Sequence, residues 1–586
     1  MTRGVITLVV WMLAATGAAA QTLVADAVMN RDAAALRALL QKKADVNAAQ
    51  VDGSTALHWA VYHDNLQAAD LLLASGASVM AVTREGVTPL AMATLYGSVP
   101  MVERLLEAGA DAKARGPNGE TMLMFAARNG NPRLVELFLN ADVDVNATEN
   151  LRKTTALMWA AEQQHPDAVK TLLKAGANPA AKSGPAGLPR NYMANRVNQK
   201  SVQEAQERRR RAAAAGRTYE EQLQIERANP LRPAFDQAPQ RQGKPPSGQV
   251  PPPDDDSEIV VAGLVGSGGG GLSALHLAAR EGDIDSARAL LDGGADVNQV
   301  TEYGWTPLLT AINNRNYALA SMLMDRGADP NIANKGGWTP LYLATDNRNI
   351  EGGDYPVPKP DLDHIEIITR LLDKESNPNA RVKEDTLTRT IFTMQWFFED
   401  GATAFARAAQ SSDTVLMKLL LKHGADPKIA TANGDTAITL AGGIGWVEGV
   451  TYERSREENV EALRMLLDLG LDPNTANNEG RTALMGAALK GRNEAILLLV
   501  ERGARLDLHD HGSRDTDKIG SAAAGHTWQA IDYADGLVRA GVQGAIAYPE
   551  TSALIRKLMI ERGLAVPPAS RDILSVCVVS LCQGTP

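Results

Sequence analysis

Residues 271–302 of this 586-residue chain read GLSALHLAAREGDIDSARALLDGGADVNQVTE, and residues 303–335 read YGWTPLLTAINNRNYALASMLMDRGADPNIANK. These two lines decide the fold, because they superpose at a spacing of about 33 residues with turn-forming, small and apolar residues in the same order. A repeat of this length predicts stacked supersecondary units rather than one closed core.

Each line predicts a pair of short helices followed by an extended segment. Gly304 forms a turn before Thr306, whose hydroxyl can cap free backbone N–H groups, and Pro307 suits the first helical position. Apolar residues then recur at helical spacing. The second helix ends at Gly294 in one line and Gly327 in the other, where a left-handed residue closes a helix without a steric clash. The unit is therefore a turn, a first helix, a second turn, a second helix and an extended finger.

The same unit recurs along much of the chain. Copies with the pattern TPLHxAA…GADxN span Ser54–Ala77, Val87–Asp111, Glu120–Asp144, Thr154–Asn178 and Arg481–Ala504. This pattern at this period resembles the ankyrin repeat. The resemblance implies an all-α solenoid of about eleven to twelve helix–turn–helix units. It also implies that partners dock on a concave face, which the finger tips and the exposed ends of the first helices form.

The order of the units predicts seven segments. They are a signal peptide at 1–20, N-terminal repeats at 21–184, a disordered insert at 185–271, further repeats at 272–345, repeats decorated with inserted loops at 346–478, a repeat with a C-terminal cap at 479–566, and a tail at 567–586. The copies on either side of the insert both have the apolar helix faces of interior repeats. We therefore favour one continuous stack from which the insert protrudes, with two separate arrays as the alternative.

The first 20 residues have the composition of a secretory signal. Arg3 precedes an apolar run from Val5 to Ala15, and Ala18, Ala19 and Ala20 form a small-residue cleavage site. The run is shorter than the about 20 residues that a membrane span needs. The mature chain is therefore predicted to be exported, periplasmic or secreted, without a membrane span. An uncleaved membrane anchor is the alternative.

Composition narrows the classes of partner. The net charge of −10 argues against a dedicated nucleic-acid binder, which is normally basic. The insert is rich in Pro, Gly, Asp and Arg and has little apolar surface to bury, which predicts disorder. Cys577 and Cys582 can form a local disulfide in an oxidising compartment, and the chain has no further cysteine for a zinc site. We expect a monomer without a cofactor.

No group of residues has the spacing of a catalytic or metal site. One polar loop contains five metal-capable side chains without a recognisable ligand spacing: His509, Asp510, His511, Asp515 and Asp517. His58 and His276 occupy the TxLH position, where the resemblance implies a structural hydrogen bond. We therefore predict a protein without enzymatic activity and without a metal.

The positions of the expected concave face are candidates for binding a partner protein. Carried over copy by copy from the resemblance, these positions hold Tyr62, His63, Tyr96, Asn129, Tyr303, Trp305, Asn313, Asn314, Trp338, Asp346 and Asn347. Aromatic residues are frequent anchors of interfaces, so Trp305 and Trp338 on neighbouring fingers are candidates for recognition. Packing against the adjacent finger is the alternative for both, and we favour it.

The inserted loops offer a second candidate surface. The chain is only 4% aromatic, yet six aromatic residues fall in three consecutive decorated copies: Tyr355, Trp396, Phe397, Phe398, Trp446 and Tyr452. If stacking brings these loops together, they form either a patch for a partner or ligand, or a local core in which they cover one another.

The sequence therefore predicts an exported scaffold that binds another protein through its concave face. Two alternatives stay open, because a fold does not fix a function. One is a secreted effector that binds a host protein. The other is a small-ligand or enzymatic site built on the inserted loops at residues 345–457.

Overall fold

The computed structural model describes residues 23–184, 270–350, 359–383, 399–446, 451–512, 527–539, 546–568 and 576–577, with positions 211, 215 and 225. The predicted signal peptide, nearly all of the predicted insert, and Cys582 lie outside the described residues. The repeats divide into two compact units. The first unit contains residues 23–184, 270–334 and 359–363, and the second contains 335–350 and the described residues from 364 onwards.

The described residues of the first unit form seven pairs of helices. They are α1 (Leu23–Met29), α2 (Ala33–Gln41), α3 (Ala56–Tyr62), α4 (Leu66–Ala74), α5 (Pro89–Tyr96), α6 (Val99–Glu107), α7 (Met122–Asn129), α8 (Pro132–Asn140), α9 (Ala156–Glu162), α10 (Pro166–Lys174), α11 (Ala274–Glu281), α12 (Ile284–Asp292), α13 (Pro307–Asn313) and α14 (Tyr317–Asp325). Each first helix has seven or eight residues and each second helix has nine. This regular alternation confirms the predicted all-α solenoid.

The second unit continues the helix pairs with more variation in length. Its helices are α15 (Pro340–Asn349), α16 (His364–Asp373), α17 (Ala404–Gln410), α18 (Thr414–Lys422), α19 (Ala437–Gly442), α20 (Arg456–Asp468), α21 (Ala483–Leu489), α22 (Asn493–Glu501), α23 (Ala530–Ala534) and α24 (Pro549–Glu561). Two short strands, β1 (Val538–Arg539) and β2 (Val576–Cys577), pair in parallel. Across the described ranges, no helix is both long and apolar enough to cross a bilayer.

The predicted helix starts are confirmed by the capping geometry. Thr88 and Thr306 have extended backbones before a proline, and their hydroxyl oxygens accept hydrogen bonds from the N–H groups of Ala91 and Leu309, each at 3.1 Å. These bonds satisfy N–H groups that have no partner inside a helix. The Thr-Pro-Leu sequence therefore fixes where each first helix begins.

In most copies the turn after the second helix has a glycine, which suits the backbone of the turn rather than its size, whereas Lys43, Asp142 and Glu375 adopt a positive φ there in three copies. Gly294 and Gly327 both have a φ of +91°, in the left-handed region, and a Cβ added to either would meet nothing within 4 Å. A residue with a side chain is disfavoured there by its own backbone. This reverses the chain after the second helix and directs it into the finger.

Neighbouring fingers are joined by backbone hydrogen bonds. The N–H of Arg84 donates to the carbonyl of Asp52 at 2.8 Å, and the N–H of Asn150 donates to the carbonyl of Asn118 at 2.8 Å. These two bonds fix neighbouring fingers to each other without depending on side chains.

The copies before and after the insert pack directly on each other within the first unit. Ser183 and Leu272 exchange two hydrogen bonds, from Ser183 N–H to the Leu272 carbonyl at 2.8 Å and from Leu272 N–H to Ser183 Oγ at 2.9 Å. Arg280 donates to the Glu162 carboxylate at 2.9 Å. This is the arrangement expected of one continuous stack.

Candidate protein-binding face

Four neighbouring first helices of the first unit place a large apolar side chain at the same position, the fourth residue of the helix. These residues are Trp59, Met92, Phe125 and Trp159. Three of them are aromatic, and we call all four together the aromatic ladder. Each is partly exposed, whereas Leu277 at the same position of the next copy is buried. The ladder therefore forms an apolar strip of limited length.

Hydrogen bonds to the fingers hold the polar edges of both ladder tryptophans. The indole N–H of Trp59 donates to Gln50 Oε1 at 2.7 Å, and Gln50 Nε2 donates in turn to Asp26 Oδ1 at 2.7 Å. The indole N–H of Trp159 donates to Thr154 Oγ1 at 2.8 Å. Because the polar edge of each ring is satisfied inside the protein, the part left exposed is largely apolar.

Glu149 organises the finger that holds Trp159. Its carboxylate accepts hydrogen bonds from the N–H groups of Leu151 at 2.5 Å, Arg152 at 2.9 Å and Thr154 at 2.8 Å, and from the Thr154 hydroxyl at 2.8 Å. Burial acts to raise the pKa of Glu149, but these hydrogen bonds to the charged form outweigh it and lower the pKa overall. The ionised carboxylate thus positions Thr154, which positions the Trp159 ring.

Exposed tyrosines extend the ladder at the ends of the first helices. Tyr62 and Tyr96 are 54% and 53% exposed, and their ring centroids lie 6.1 Å apart in an edge-to-face arrangement. Tyr62 also contacts Trp59, with ring centroids 5.5 Å apart. Leu95 is a further exposed apolar residue beside them. These contacts join two neighbouring repeats into one apolar surface.

The far end of the ladder carries a positive charge. The guanidinium of Arg128, which is exposed, lies 5.9 Å from the centre of the Trp159 ring, within cation–π range. Phe125 packs against the same tryptophan, with ring centroids 6.1 Å apart. One repeat further on, the acidic side chain of Glu162 is occupied by Arg280 at 2.9 Å and Arg152 at 3.9 Å. The ladder thus ends in a basic group beside aromatic rings.

Other predicted binding residues of the first unit serve partly as structural ties. His63 lies 3.2 Å from the Arg31 side chain and 2.9 Å from the Met29 carbonyl. Asn129 donates to the Leu95 carbonyl at 3.2 Å, and Asn314 donates to the Thr310 carbonyl of its own helix at 2.8 Å. Both asparagines are partly exposed, as are two further predicted residues, Tyr303 and Asn313.

The interpretation of Trp305 and Trp338 as surface anchors is wrong, because it requires both rings to be exposed. Each tryptophan is only 1% exposed. The Trp305 carbonyl accepts a hydrogen bond from His276 at 2.9 Å, and the Trp338 ring packs edge-to-face on Tyr342 with centroids 5.2 Å apart. The packing alternative describes both residues, because a bulky ring before Thr-Pro fills the space under its finger.

Asp346 and Asn347 were also predicted to face a partner, and both are buried. The Asp346 carboxylate forms an ion pair with Arg407 at 2.9 Å, and Arg407 is itself buried. Arg407 occupies the fourth position of α17, which holds apolar side chains in the aromatic ladder. A charged side chain there is buried with its partner, so this part of the second unit does not offer these residues to a partner protein.

Most of the predicted patch on the inserted loops lies outside the described residues: Tyr355, Trp396, Phe397 and Phe398. The two members that the structure describes both lie beside a cation. The Lys490 ammonium is 4.2 Å from the centre of the Trp446 ring, and the Arg454 guanidinium is 4.9 Å from the centre of the Tyr452 ring. These contacts do not test whether the six aromatic residues form one patch.

The histidines of the TxLH position form the structural hydrogen bonds that the resemblance implied. His58 Nδ1 accepts from the Thr55 N–H at 3.2 Å, and its Nε2 lies 3.1 Å from the Val87 carbonyl of the next copy. His276 bonds in the same way to Ser273 N–H at 3.3 Å and to the Trp305 carbonyl. Burial lowers the pKa of His58, and it lowers the pKa of the fully buried His276 to about 4.

The polar loop considered for a metal instead stabilises a finger. Buried Asp510 accepts hydrogen bonds from the Trp528 N–H at 2.8 Å and the Tyr533 hydroxyl at 2.6 Å. His509 Nδ1 lies 2.9 Å from the Thr527 hydroxyl, and His511 Nδ1 lies 3.1 Å from the Asn478 carbonyl. Two members of the loop, Asp515 and Asp517, lie outside the described residues. In the part of the chain that the structure describes, no three acidic, His or Cys side chains are grouped as metal ligands.

The ladder residues themselves were not among the predicted binding residues. The sequence signal was present, because Trp59, Met92, Phe125 and Trp159 recur at intervals of 33, 33 and 34 residues. The resemblance directed attention to the last turn of each first helix, which holds Tyr62 and Tyr96. The fourth helical position, one turn earlier, carries a second row of apolar side chains that are partly exposed.

Comparison with known proteins identifies the repeat. A family model described as ankyrin repeats (3 copies) matches residues 24–116, 90–183 and 275–382, and one described as ankyrin repeats (many copies) matches residues 453–500. Together these matches span just over half of the chain.

Individual proteins match over smaller shares. The human SH3 and multiple ankyrin repeat domains protein 2 is 26% identical over a region that covers 26% of this chain and 11% of that protein. The chain therefore spans about a tenth of the length of this curated relative. The crystal structure of the human ASB11 ankyrin repeat domain matches at 20% identity and a TM-score of 0.34, covering 52% of this chain and 98% of that one.

Proposed function

Because this chain belongs to the ankyrin-repeat family, whose repeats are scaffolds for protein–protein interaction, we propose that it is an exported scaffold that binds another protein through the finger side of its first unit. The observation that carries this proposal is the aromatic ladder. Its two tryptophan rings are partly exposed while their indole N–H groups are bonded to the fingers. A surface of this kind is suited to apolar side chains of a partner.

The rigidity of the ladder supports a binding role. Association is opposed by the loss of side-chain freedom, and this loss is smaller where the side chains are already fixed. Gln50 and Thr154 fix the two indole rings before any partner arrives. Aromatic residues held in this way are typical of the residues that dominate binding energy.

The charge beside the ladder indicates the chemistry of the partner. Arg128 is exposed above the Trp159 ring, and no carboxylate of the described residues forms an ion pair with it. A carboxylate of the partner, placed next to apolar side chains, would therefore find both a cation and an apolar surface. We propose a partner segment with aromatic or aliphatic side chains followed by an acidic residue.

Export is part of the proposal and rests on the first 20 residues of the sequence. A small-residue site after a short apolar run supports cleavage after Ala20. A periplasmic scaffold and a secreted effector share this step, and they differ in where the partner lies. Fractionation of the producing cells separates them: a partner in the envelope supports the scaffold, and a partner found only in host extracts supports the effector.

A ligand or enzymatic site on the inserted loops is the weaker candidate. Four of its described charged groups neutralise one another in the Arg407–Asp346 pair at 2.9 Å and the Arg348–Asp413 pair at 2.6 Å, which makes these four poor candidates for catalysis.

Affinity capture with the mature chain, beginning at Gln21, tests the binding proposal. The test variant is Tyr62→Ala/Tyr96→Ala, which removes two exposed rings without touching the core. The matched control is Leu497→Ala/Ile560→Ala, which removes two exposed apolar side chains of the second unit.

The proposal expects one envelope protein to be captured by the wild type and by the control, and to be reduced about tenfold or more with the test variant. Equal capture by the test variant and the wild type would show that the partner binds elsewhere.

A further inference from the structure

A short segment of the second unit lies across the ends of repeats that precede it. We call it the strap and define it as Thr451–Ser455, between α19 and α20. Its backbone pairs with the end of α15: the Tyr452 N–H donates to the Asn349 carbonyl at 3.0 Å, and Thr451 forms an antiparallel bridge with Ile350. The strap is thus seated as an added extended strand.

Two neighbouring side chains of the strap, Glu453 and Arg454, each pair with groups whose charge is opposite to their own. Arg454 donates to the Asp413 carboxylate at 2.9 Å, at the start of α18. Glu453 forms ion pairs with Lys490, at 3.4 Å, and with Arg492. Glu453 therefore pairs with the two cations Lys490 and Arg492, and the next residue, Arg454, pairs with the carboxylate of Asp413. We call Asn349, Asp413, Lys490 and Arg492 the strap site.

Departure of the strap would leave two groups of the strap site paired and two cations without their carboxylate. Asp413 would keep its hydrogen bonds from Arg348 Nε at 2.6 Å and from the Leu416 N–H at 3.2 Å. The Asn349 carbonyl would keep its bond from Arg407 Nη2 at 2.8 Å. The side chains of Lys490 and Arg492 are only 11% and 12% exposed, and both would lose Glu453. Because a buried charge without a partner is unfavourable, a ligand that displaces the strap must supply a carboxylate at this place.

The outer side of the strap faces solvent. Tyr452 is 44% exposed, and Glu453 and Ser455 are also exposed. The inner side of the strap is buried, because Thr451 is 1% exposed and the Arg454 side chain is 14% exposed. A ligand that offers the same polar groups in the same order can therefore compete with the strap for these contacts.

We propose that the strap site is a peptide-binding groove that the chain fills with its own segment. The ligand it would take in place of the strap is an extended segment of a partner protein with a carboxylate directly before a guanidinium. The strap is then a built-in competitor, which a partner must displace. This surface lies in the second unit and is independent of the aromatic ladder, so either proposal can fail without the other.

Binding of the strap sequence in trans tests this directly. The full-length variant Tyr452→Gly/Glu453→Gly/Arg454→Gly keeps the length of the connection but removes the side chains that fill the site. A fluorescent peptide of residues 449–457 is the probe, and fluorescence anisotropy is the readout. The expected result is that the peptide binds the variant at least about tenfold more tightly than it binds the wild type.

Matched probes check the chemistry. A peptide in which Glu453 and Arg454 are exchanged is expected to bind the triple-glycine variant about tenfold or more weakly than the original peptide does. The original peptide is expected to lose about as much affinity when the variant also carries Asp413→Asn. Asn is an effective N-cap, so this last change keeps the start of α18 intact. Peptide binding that is equal in the variant and the wild type, or absent from both, would overturn the proposal.

Hydrogen exchange of the wild-type protein gives a second test that does not depend on a variant. If the strap opens on its own, the Tyr452 amide exchanges faster than the amides of α15 and α17. An amide at Tyr452 that is protected as long as those helices would show that the strap is a fixed part of the fold.

Discussion

Replacing His276 with Gln is predicted to make the stability of the first unit less dependent on pH. The His276 side chain is fully buried, with Nδ1 accepting from the Ser273 N–H and Nε2 donating to the Trp305 carbonyl. Protonation would place a second N–H against the Ser273 N–H in a site without water. Burial is the main reason that the pKa falls from 6.5 to about 4, and the positive charge of Lys182 also lowers it.

The magnitude follows from this shift in pKa. Because the pKa is depressed in the folded state, the stabilisation is complete above pH 6.5 and is lost as the pH falls through the pKa of about 4. The full effect is roughly 3 kcal/mol, at about 1.4 kcal/mol per pKa unit. Roughly 2 kcal/mol of it is lost between about pH 7 and about pH 5.

Urea denaturation followed by far-ultraviolet circular dichroism, at both pH values, measures the effect. Between these two pH values, the free energy of unfolding of the wild type is expected to fall by roughly 2 kcal/mol more than that of His276→Gln. The variant is about 1 kcal/mol less stable at the higher pH, because it loses hydrogen bonds. His58→Gln is a useful companion, because His58 occupies the same position and burial lowers its pKa in the same direction. Parallel pH profiles for wild type and His276→Gln would refute the reasoning.

Three further changes test other parts of the fold. Arg407→Met breaks a buried ion pair with Asp346 and is expected to destabilise the second unit by about 3–5 kcal/mol, measured as a lower melting temperature; an unchanged melting temperature would contradict it. Glu149→Gln removes an acceptor of several finger hydrogen bonds and is expected to cost about 1–3 kcal/mol, with faster amide exchange at residues 151–154; wild-type exchange there would contradict it. Gly176→Ala places a side chain at a φ of +88° with open space around it. We therefore expect the free energy of unfolding, measured by urea denaturation, to fall by about 1–2 kcal/mol from the backbone alone. An unchanged value would show that the turn adapts.

Much of the fold could be predicted because each repeat carries its own local signals. Thr306-Pro307 fixes a helix start by capping and by a preset backbone angle, and Gly327 fixes a helix end by a positive φ. These effects act over a few residues, so they are visible in the sequence. His58 and His276 were also placed correctly, because the residues that bond to their side chains recur at the same offsets in every regular copy.

The binding residues were harder to predict because exposure depends on what packs above a position. Trp305 and Trp159 are both tryptophans of a regular repeat, but only Trp159 is partly exposed. Asp346 occupies a position that holds exposed residues in earlier copies and is buried here beside Arg407. The position just before Thr-Pro separates Trp305 from Trp159, but the partner that buries Asp346 lies 61 residues away in the sequence, and no local pattern encodes it.

Site-specific photo-crosslinking in the producing cells tests the central claim most directly. A photoreactive phenylalanine analogue is placed at Tyr62 or Tyr96, beside the aromatic ladder, and at Ile560 as an exposed control in the second unit. The proposed function predicts one crosslinked protein that is shared by the first two positions and missing from the third. Crosslinks at Ile560 alone, or none at either tyrosine while a partner is still captured, would contradict binding through the finger side of the first unit.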